Sequence, residues 1–138
     1  GWVQSYGTRY VRPPVLADRG LEAAITALAD RSPIPVAVRA DVNPRPEDPV
    51  ETAAYFVVAE SLANVAKHAG ASRVDVRIER IGRQLRVEVL DDGRGSADPN
   101  GPGLVGLRRR VEALGGTLTV SSPTGGPTTI RAEMPCES

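Results

Sequence analysis

Cysteine is nearly absent: Cys136 stands alone in 138 residues, so no internal disulfide and no cysteine-built zinc site can form. His68 is likewise the only histidine, which removes histidine clusters as metal cages. An excess of either charge is missing too. Lys+Arg and Asp+Glu both number 17 and the formal net charge is zero. Nucleic acid and anionic membrane surfaces are thereby demoted as partners, since nothing supplies a long-range attraction. The local run Arg108-Arg109-Arg110 is the exception. No apolar run approaches the roughly 20 residues of a bilayer span; the longest is Ala53 to Ala59. The opening "GWVQSYGTRY" has none of the regions of a secretory signal. Together these absences lead us to expect a soluble, cytoplasmic domain with no disulfide partner.

What is present suits one domain with one core: 41% hydrophobic and 25% charged residues. Residues 1–17 show no clear period, and Pro13-Pro14 reads as a connector. Asp18 is placed to cap a helix over about 19–30, with Leu21, Ala24, Ile25 and Leu28 on one side. Val36, Val38, Ala40 and Val42 alternate as in a strand, followed by the proline-rich "NPRPEDP". A long helix is expected over about 50–69, where Val58, Leu62, Val65 and Ala69 form one apolar stripe and Gly70 stops the helix. Strands around Val74/Val76/Ile78 and Leu85/Val87/Val89 follow, then a helix over 104–114, then strands around Leu118/Val120 and Ile130/Ala132/Met134. Each strand has a single apolar face, whereas strands of an all-parallel, doubly wound sheet are apolar on both. The expected fold is α/β: a two-layer sandwich whose mixed, mainly antiparallel five-stranded sheet carries three helices on one face.

Three stretches carry chemistry. "GPGLVGL", Gly101 to Leu107, matches the G-x-G-x-x-G of dinucleotide-binding units. That fingerprint needs a strand running into its first glycine and an acidic residue about 20 positions on. Here a ten-residue loop intervenes, and "GGTLTVSSP" holds no acid. The dinucleotide reading fails, yet the glycines still open a helix, whose first N–H groups make an anion site. Phosphate remains the indicated ligand, with Arg108 and Arg110 as further candidates for phosphate or partner and Arg109 as a solvated surface charge.

"DDGRG" sets Asp91 beside Gly93 and Gly95 at a strand end. It reads either as an ordinary Asp-Gly turn or as a purine site, with the carboxylate on the exocyclic amine and the base close to the backbone. In "ESLANVAKHA", Glu60, Asn64 and Lys67 lie at i, i+4 and i+7, opposite the apolar stripe. That face is either solvated or a site floor, because Phe56, Val57 and Ala59 border it. As a site, Asn64 offers an amide oxygen to Mg²⁺, Glu60 a base or orienting group, and Lys67 and His68 positive charge for phosphate. His68 as a phosphoacceptor competes with its reading as a helix C-terminal cap.

In their order, these stretches resemble the ATP-binding catalytic domain of sensor histidine kinases, in the superfamily that includes DNA gyrase, a heat-shock chaperone and mismatch-repair ATPases. Glu60 to Asn64 resembles the family's N box, Asp91-Gly93-Gly95 its first glycine box, Gly101-Gly103-Gly106 its second, and Thr128 the threonine of its last strand. "KHAGAS" and "GLRRRVEALGGTL" look most like the subclass paired with helix-turn-helix response regulators. The resemblance implies the fold named for this superfamily, the Bergerat fold, with ATP and Mg²⁺ as ligands and ADP as product. It implies that Asp91 holds adenine, that Asn64 binds Mg²⁺, and that the loop with Gly101, Gly103, Leu104, Gly106 and Leu107 covers the phosphates. The acceptor histidine would sit on a separate upstream dimerisation domain, with residues 1–17 as the remnant of a linker and 18–138 as the catalytic domain, monomeric in isolation. A response regulator would be the further partner, and the parent protein can still carry a membrane anchor. Alternatives are a serine/threonine kinase of the same superfamily acting on anti-sigma partners and a module that senses ATP without transferring phosphate. Pro127 and Ser96 depart from the family pattern, and its phenylalanine-containing box is absent.

Overall fold

The computed structural model describes residues 13–67, 70–95, 98 and 101–137. Its elements run α1 (Pro14–Arg19), α2 (Leu21–Asp30), β1 (Val36–Asp41), α3 (Asp48–Lys67), β2 (Val74–Ile81), β3 (Gln84–Asp91), α4 (Pro102–Ala113), β4 (Thr117–Ser121) and β5 (Thr128–Pro135). The strands form one sheet in the order β1-β2-β3-β5-β4. Only β1 and β2 are parallel; the other three pairings are antiparallel. The mixed, mainly antiparallel α/β sheet expected from alternation is the one observed.

Alternation sets which face is covered. Val74, Val76 and Ile78 of β2, Leu85, Val87 and Val89 of β3, and Ile130, Ala132 and Met134 of β5 are all buried. α2, α3 and α4 pack on the strands, while their in-between residues, such as Arg77, Glu88 and Arg131, share one register row across the bare face. There Arg131 donates to Glu88 and Arg86 to Glu133.

α3 is the central helix. Val50, Ala53, Ala54, Tyr55, Phe56, Val57 and Val58 are all buried, the all-round apolar pattern of a helix with neighbours on every side. Its last turns change character: Ser61 and Val65 are buried, whereas Glu60 and Asn64 are half-buried and Lys67 is exposed. No described helix is long and apolar enough to cross a membrane.

The N-terminal reading needs correction. Pro14 opens α1 rather than a connector, because its missing N–H is unneeded at the first helical position. Asp18 lies inside α1 and caps nothing; α2 starts after Gly20, whose φ of 87° breaks the two helices apart. There are thus four helices among the described residues, and Leu16 of α1 is fully buried. Arg45 holds α1 down. Its guanidinium donates to Glu51 Oε2 and Oε1, both at 2.9 Å, and to the carbonyls of Leu16 and Ala17 at 3.0 and 3.1 Å. Glu51 is fully buried, so this fork neutralises a carboxylate that the core could not otherwise hold.

Candidate functional site

The sheet alternation that buries Val87 and Val89 continues to Asp91, placing its carboxylate on the helix-covered side at the end of β3. Asp91 and Thr128 are register partners on adjacent strands. The last two turns of α3 lie above them. One cleft results, lined by Asn64 and Ser61 of α3, Asp91, Gly93, Arg94, Gly95 and Thr128, with Val65, Val89 and Ile130 as its apolar floor. Two of the three stretches, 27 residues apart from Asn64 to Asp91, thus meet in one place with Thr128, 37 residues after Asp91, whereas Gly101 to Leu107 contributes nothing to this lining.

Burial raises the Asp91 carboxyl above the ordinary carboxylate range; the Gly93 N–H opposes this and the neighbouring Asp92 charge adds to it. Gly93 N donates to Asp91 Oδ1 at 2.8 Å. Oδ1 is fixed in this way, and Oδ2 is left to accept from an incoming amine. Thr128 is 7% exposed and its hydroxyl shares a 2.6 Å hydrogen bond with Ser122.

The first glycine loop is packed backbone to backbone against the β4–β5 turn. A Cβ on Gly95, whose φ is +77°, would lie 1.9 Å from the carbonyl oxygen of Pro123, and one on Gly126, φ +79°, would lie 1.9 Å from that of Gly93. No side chain fits at either position, and both backbones are in the left-handed region.

Glu60 stands apart from the cleft lining. Its Oε2 lies 2.5 Å from where a Cβ of Gly103 would sit, so it rests against the first turn of α4. Gly101 is the N-cap of that helix and Pro102 its first residue, two positions earlier than the apolar spacing predicts. Leu104 and Leu107 are 3% and 5% exposed and face the core; of the two, only Leu104 has its backbone N–H in the unpaired first turn of α4. Gly106 is exposed with open space around it.

Of the expected cations, Lys67 is exposed and does not line the cleft. Arg110 stacks over the Phe56 ring at 5.1 Å, Arg108 reaches the Leu118 carbonyl at 3.5 Å, and Arg109 is exposed as expected. His68 and Ser96 lie outside the described residues. Sequence reasoning missed Ser61, Arg94 and the apolar floor. Ser61 is three residues before Asn64, Val89 two before Asp91 and Ile130 two after Thr128, so each follows from the helical or strand period applied to a residue already chosen. Arg94 stood inside "DDGRG" itself.

No group of three or more His, Cys, Asp or Glu side chains capable of holding a metal occurs among the described residues. The half-buried Asn64 side chain on the cleft wall offers one amide oxygen, and such a donor fits a hard cation otherwise ligated by water and phosphate, which Asn64 would hold.

With this geometry stand the likenesses to known proteins. Residues 50–138 match the family of histidine kinase-, DNA gyrase B- and HSP90-like ATPases, and the chain belongs to that family. Among its relatives is the sensor histidine kinase LiaS of Bacillus subtilis (strain 168), 31% identical over 133 residues. That match covers 91% of this chain and 37% of LiaS. Among solved structures, the histidine kinase domain of the blue-light-activated histidine kinase of Erythrobacter litoralis EL346 is 32% identical with a TM-score of 0.65, over 81% of this chain and 56% of that one. A second structure of that kinase gives 29% identity and a TM-score of 0.67, over 84% of this chain and 44% of that one.

Proposed function

We propose that this chain is the ATP·Mg²⁺-binding catalytic domain of a sensor histidine kinase. The observation that carries the reading is the single cleft in which Asn64, Asp91, Gly93, Gly95 and Thr128 converge. Asp91 Oδ2 accepts from the exocyclic amine of adenine, while Gly93 and Gly95 let the base lie against backbone. Asn64 would hold Mg²⁺ through its amide oxygen, and the cation would supply charge neutralisation at the triphosphate. The unpaired N–H groups in the first turn of α4, those of Gly103 and Leu104, are the ones offered to the phosphates, with Gly101 and Gly106 as the small residues beside them. The reaction is transfer of the γ-phosphoryl group to an imidazole nitrogen of a histidine on a separate upstream dimerisation domain, ADP leaving. The phosphoryl group then passes to an aspartate on a response regulator. Such chemistry runs on positioning and charge stabilisation. Glu60, which rests against Gly103, is the group we assign to orienting or deprotonating the acceptor.

Titration with labelled ATP and ADP, with and without Mg²⁺, tests this. Asp91→Ala is expected to weaken ATP at least about tenfold, the loss of one charge-assisted hydrogen bond; unchanged affinity removes the adenine assignment. Asn64→Ala is expected to abolish the gain in affinity from Mg²⁺. Phosphoryl transfer to the upstream helical domain, supplied in trans, separates a kinase from a module that only binds ATP.

A further inference from the structure

The β2–β3 ladder ends at the pair Val74 and Asp91. Beyond it the two chains stay side by side without a backbone ladder. Ser72 faces Asp92, Ala71 faces Gly93 and Gly70 faces Arg94. A Cβ on Gly93 would lie 3.5 Å from the Ala71 Cβ, and one on Gly70 would lie 2.8 Å from Arg94 Nε. The seam joins the segment that leaves α3 to the glycine loop that follows Asp91, and so joins two walls of the cleft. Three of its hydrogen bonds come from one side chain. Asp92 Oδ1 accepts from the Ser72 N–H at 2.7 Å and the Arg73 N–H at 3.1 Å, and Oδ2 accepts from the Ser72 hydroxyl. A carboxylate here replaces the carbonyls that a longer ladder would have provided.

We propose that Asp92 is a positioning residue: by fixing this seam it holds the end of α3, and with it Asn64, at the working separation from Asp91. The inference rests on the nucleotide reading of the cleft and adds to it a residue that touches no ligand. Ser72 follows Asn64 by eight residues, so a loose seam frees the metal-binding amide while Asp91 stays anchored in the sheet. Because Asp92 is exposed and outside the core, its loss leaves the apolar packing in place.

The experiment is a titration of the whole chain with a fluorescent ATP analogue, with and without Mg²⁺, accompanied by thermal melts. Asp92→Ala is expected to weaken Mg²⁺-dependent binding by about tenfold, the size of losing hydrogen bonds to an ionised group, and to melt within a few degrees of the parent. Asp92→Asn keeps one oxygen for both amides and is expected to stay within about threefold of the parent. Combined with Asn64→Ala, Asp92→Ala is expected to add no further loss, since it acts through that residue. A full Mg²⁺ gain in Asp92→Ala, or losses that simply add in the double variant, overturns the proposal. Failure of the parent chain itself to gain affinity from Mg²⁺ sinks the metal-site reading and this inference together. A parent that gains alongside an Asp92→Ala variant that gains equally sinks only the inference.

Discussion

At the scale of single residues, the cleft is built from groups whose placement costs stability. Asp91 sits on the covered side of the sheet with its carboxyl raised by burial. The sign follows directly. A carboxylate whose folded pKa exceeds its unfolded value contributes stability when protonated and loses it as pH rises through the folded pKa. Asp91→Asn is therefore expected to melt higher than the parent at pH 7, with the advantage shrinking as pH is lowered through the Asp91 range, while ATP binding is weakened. Parallel melts and titrations across pH check both halves; a variant that melts lower at pH 7 rejects the assignment. Asp92 behaves oppositely. The Ser72 hydroxyl and amide, with the Arg73 amide, hold its carboxyl below the usual range. Two adjacent aspartates thus differ because one faces the core and the other faces donors. Their roles were only half legible in "DDGRG": the motif singled out Asp91, but nothing in it placed Asp92 against residues 20 positions earlier.

At the scale of elements, periodicity carried most of the fold. Every strand was visible because alternation and one-sided burial are the same physical fact. The last turns of α3 were legible as a polar face beside an apolar stripe. α1 was not, because six residues are too few to show a period and a proline pair resembles a connector. Glu60 was grouped with Asn64 by helical spacing, yet the helix directs it to Gly103 and α4, a tertiary choice that spacing does not contain. The β4–β5 turn packs on the glycine loop in a tertiary contact of the same kind. Its Gly126 is expected to be intolerant: Gly126→Ala must relieve a clash with the Gly93 carbonyl at a φ of +79°. The expected cost is about 1–3 kcal/mol for the strained backbone alone, with weaker ATP binding because the glycine loop shifts. Gly125→Ala shares the positive φ but meets nothing within 4 Å, so it should lose stability and leave affinity unchanged. Denaturant melts and titrations of the pair decide this.

At the scale of the whole molecule, residues ahead of position 18 pack on the core. Leu16 is fully buried, and Arg45 reaches from Glu51 to the Leu16 and Ala17 carbonyls. A fragment of residues 18–138 is expected to be less stable than one of 13–138 by at least about 1.5–3 kcal/mol, the burial of one leucine. Chemical denaturation of the two fragments measures the difference, and equal midpoints would show α1 to be dispensable.

The back-to-back contact of Gly95 and Gly126 has a practical side for anyone engineering this protein. The stretch from Ser122 to Pro127 looks like filler suited to tags, insertions or randomisation. It is instead the backing on which the cleft-lining loop of Gly93 and Gly95 rests, so lengthening or diversifying it would shift that loop, and libraries built there would sample binding strength rather than neutral surface.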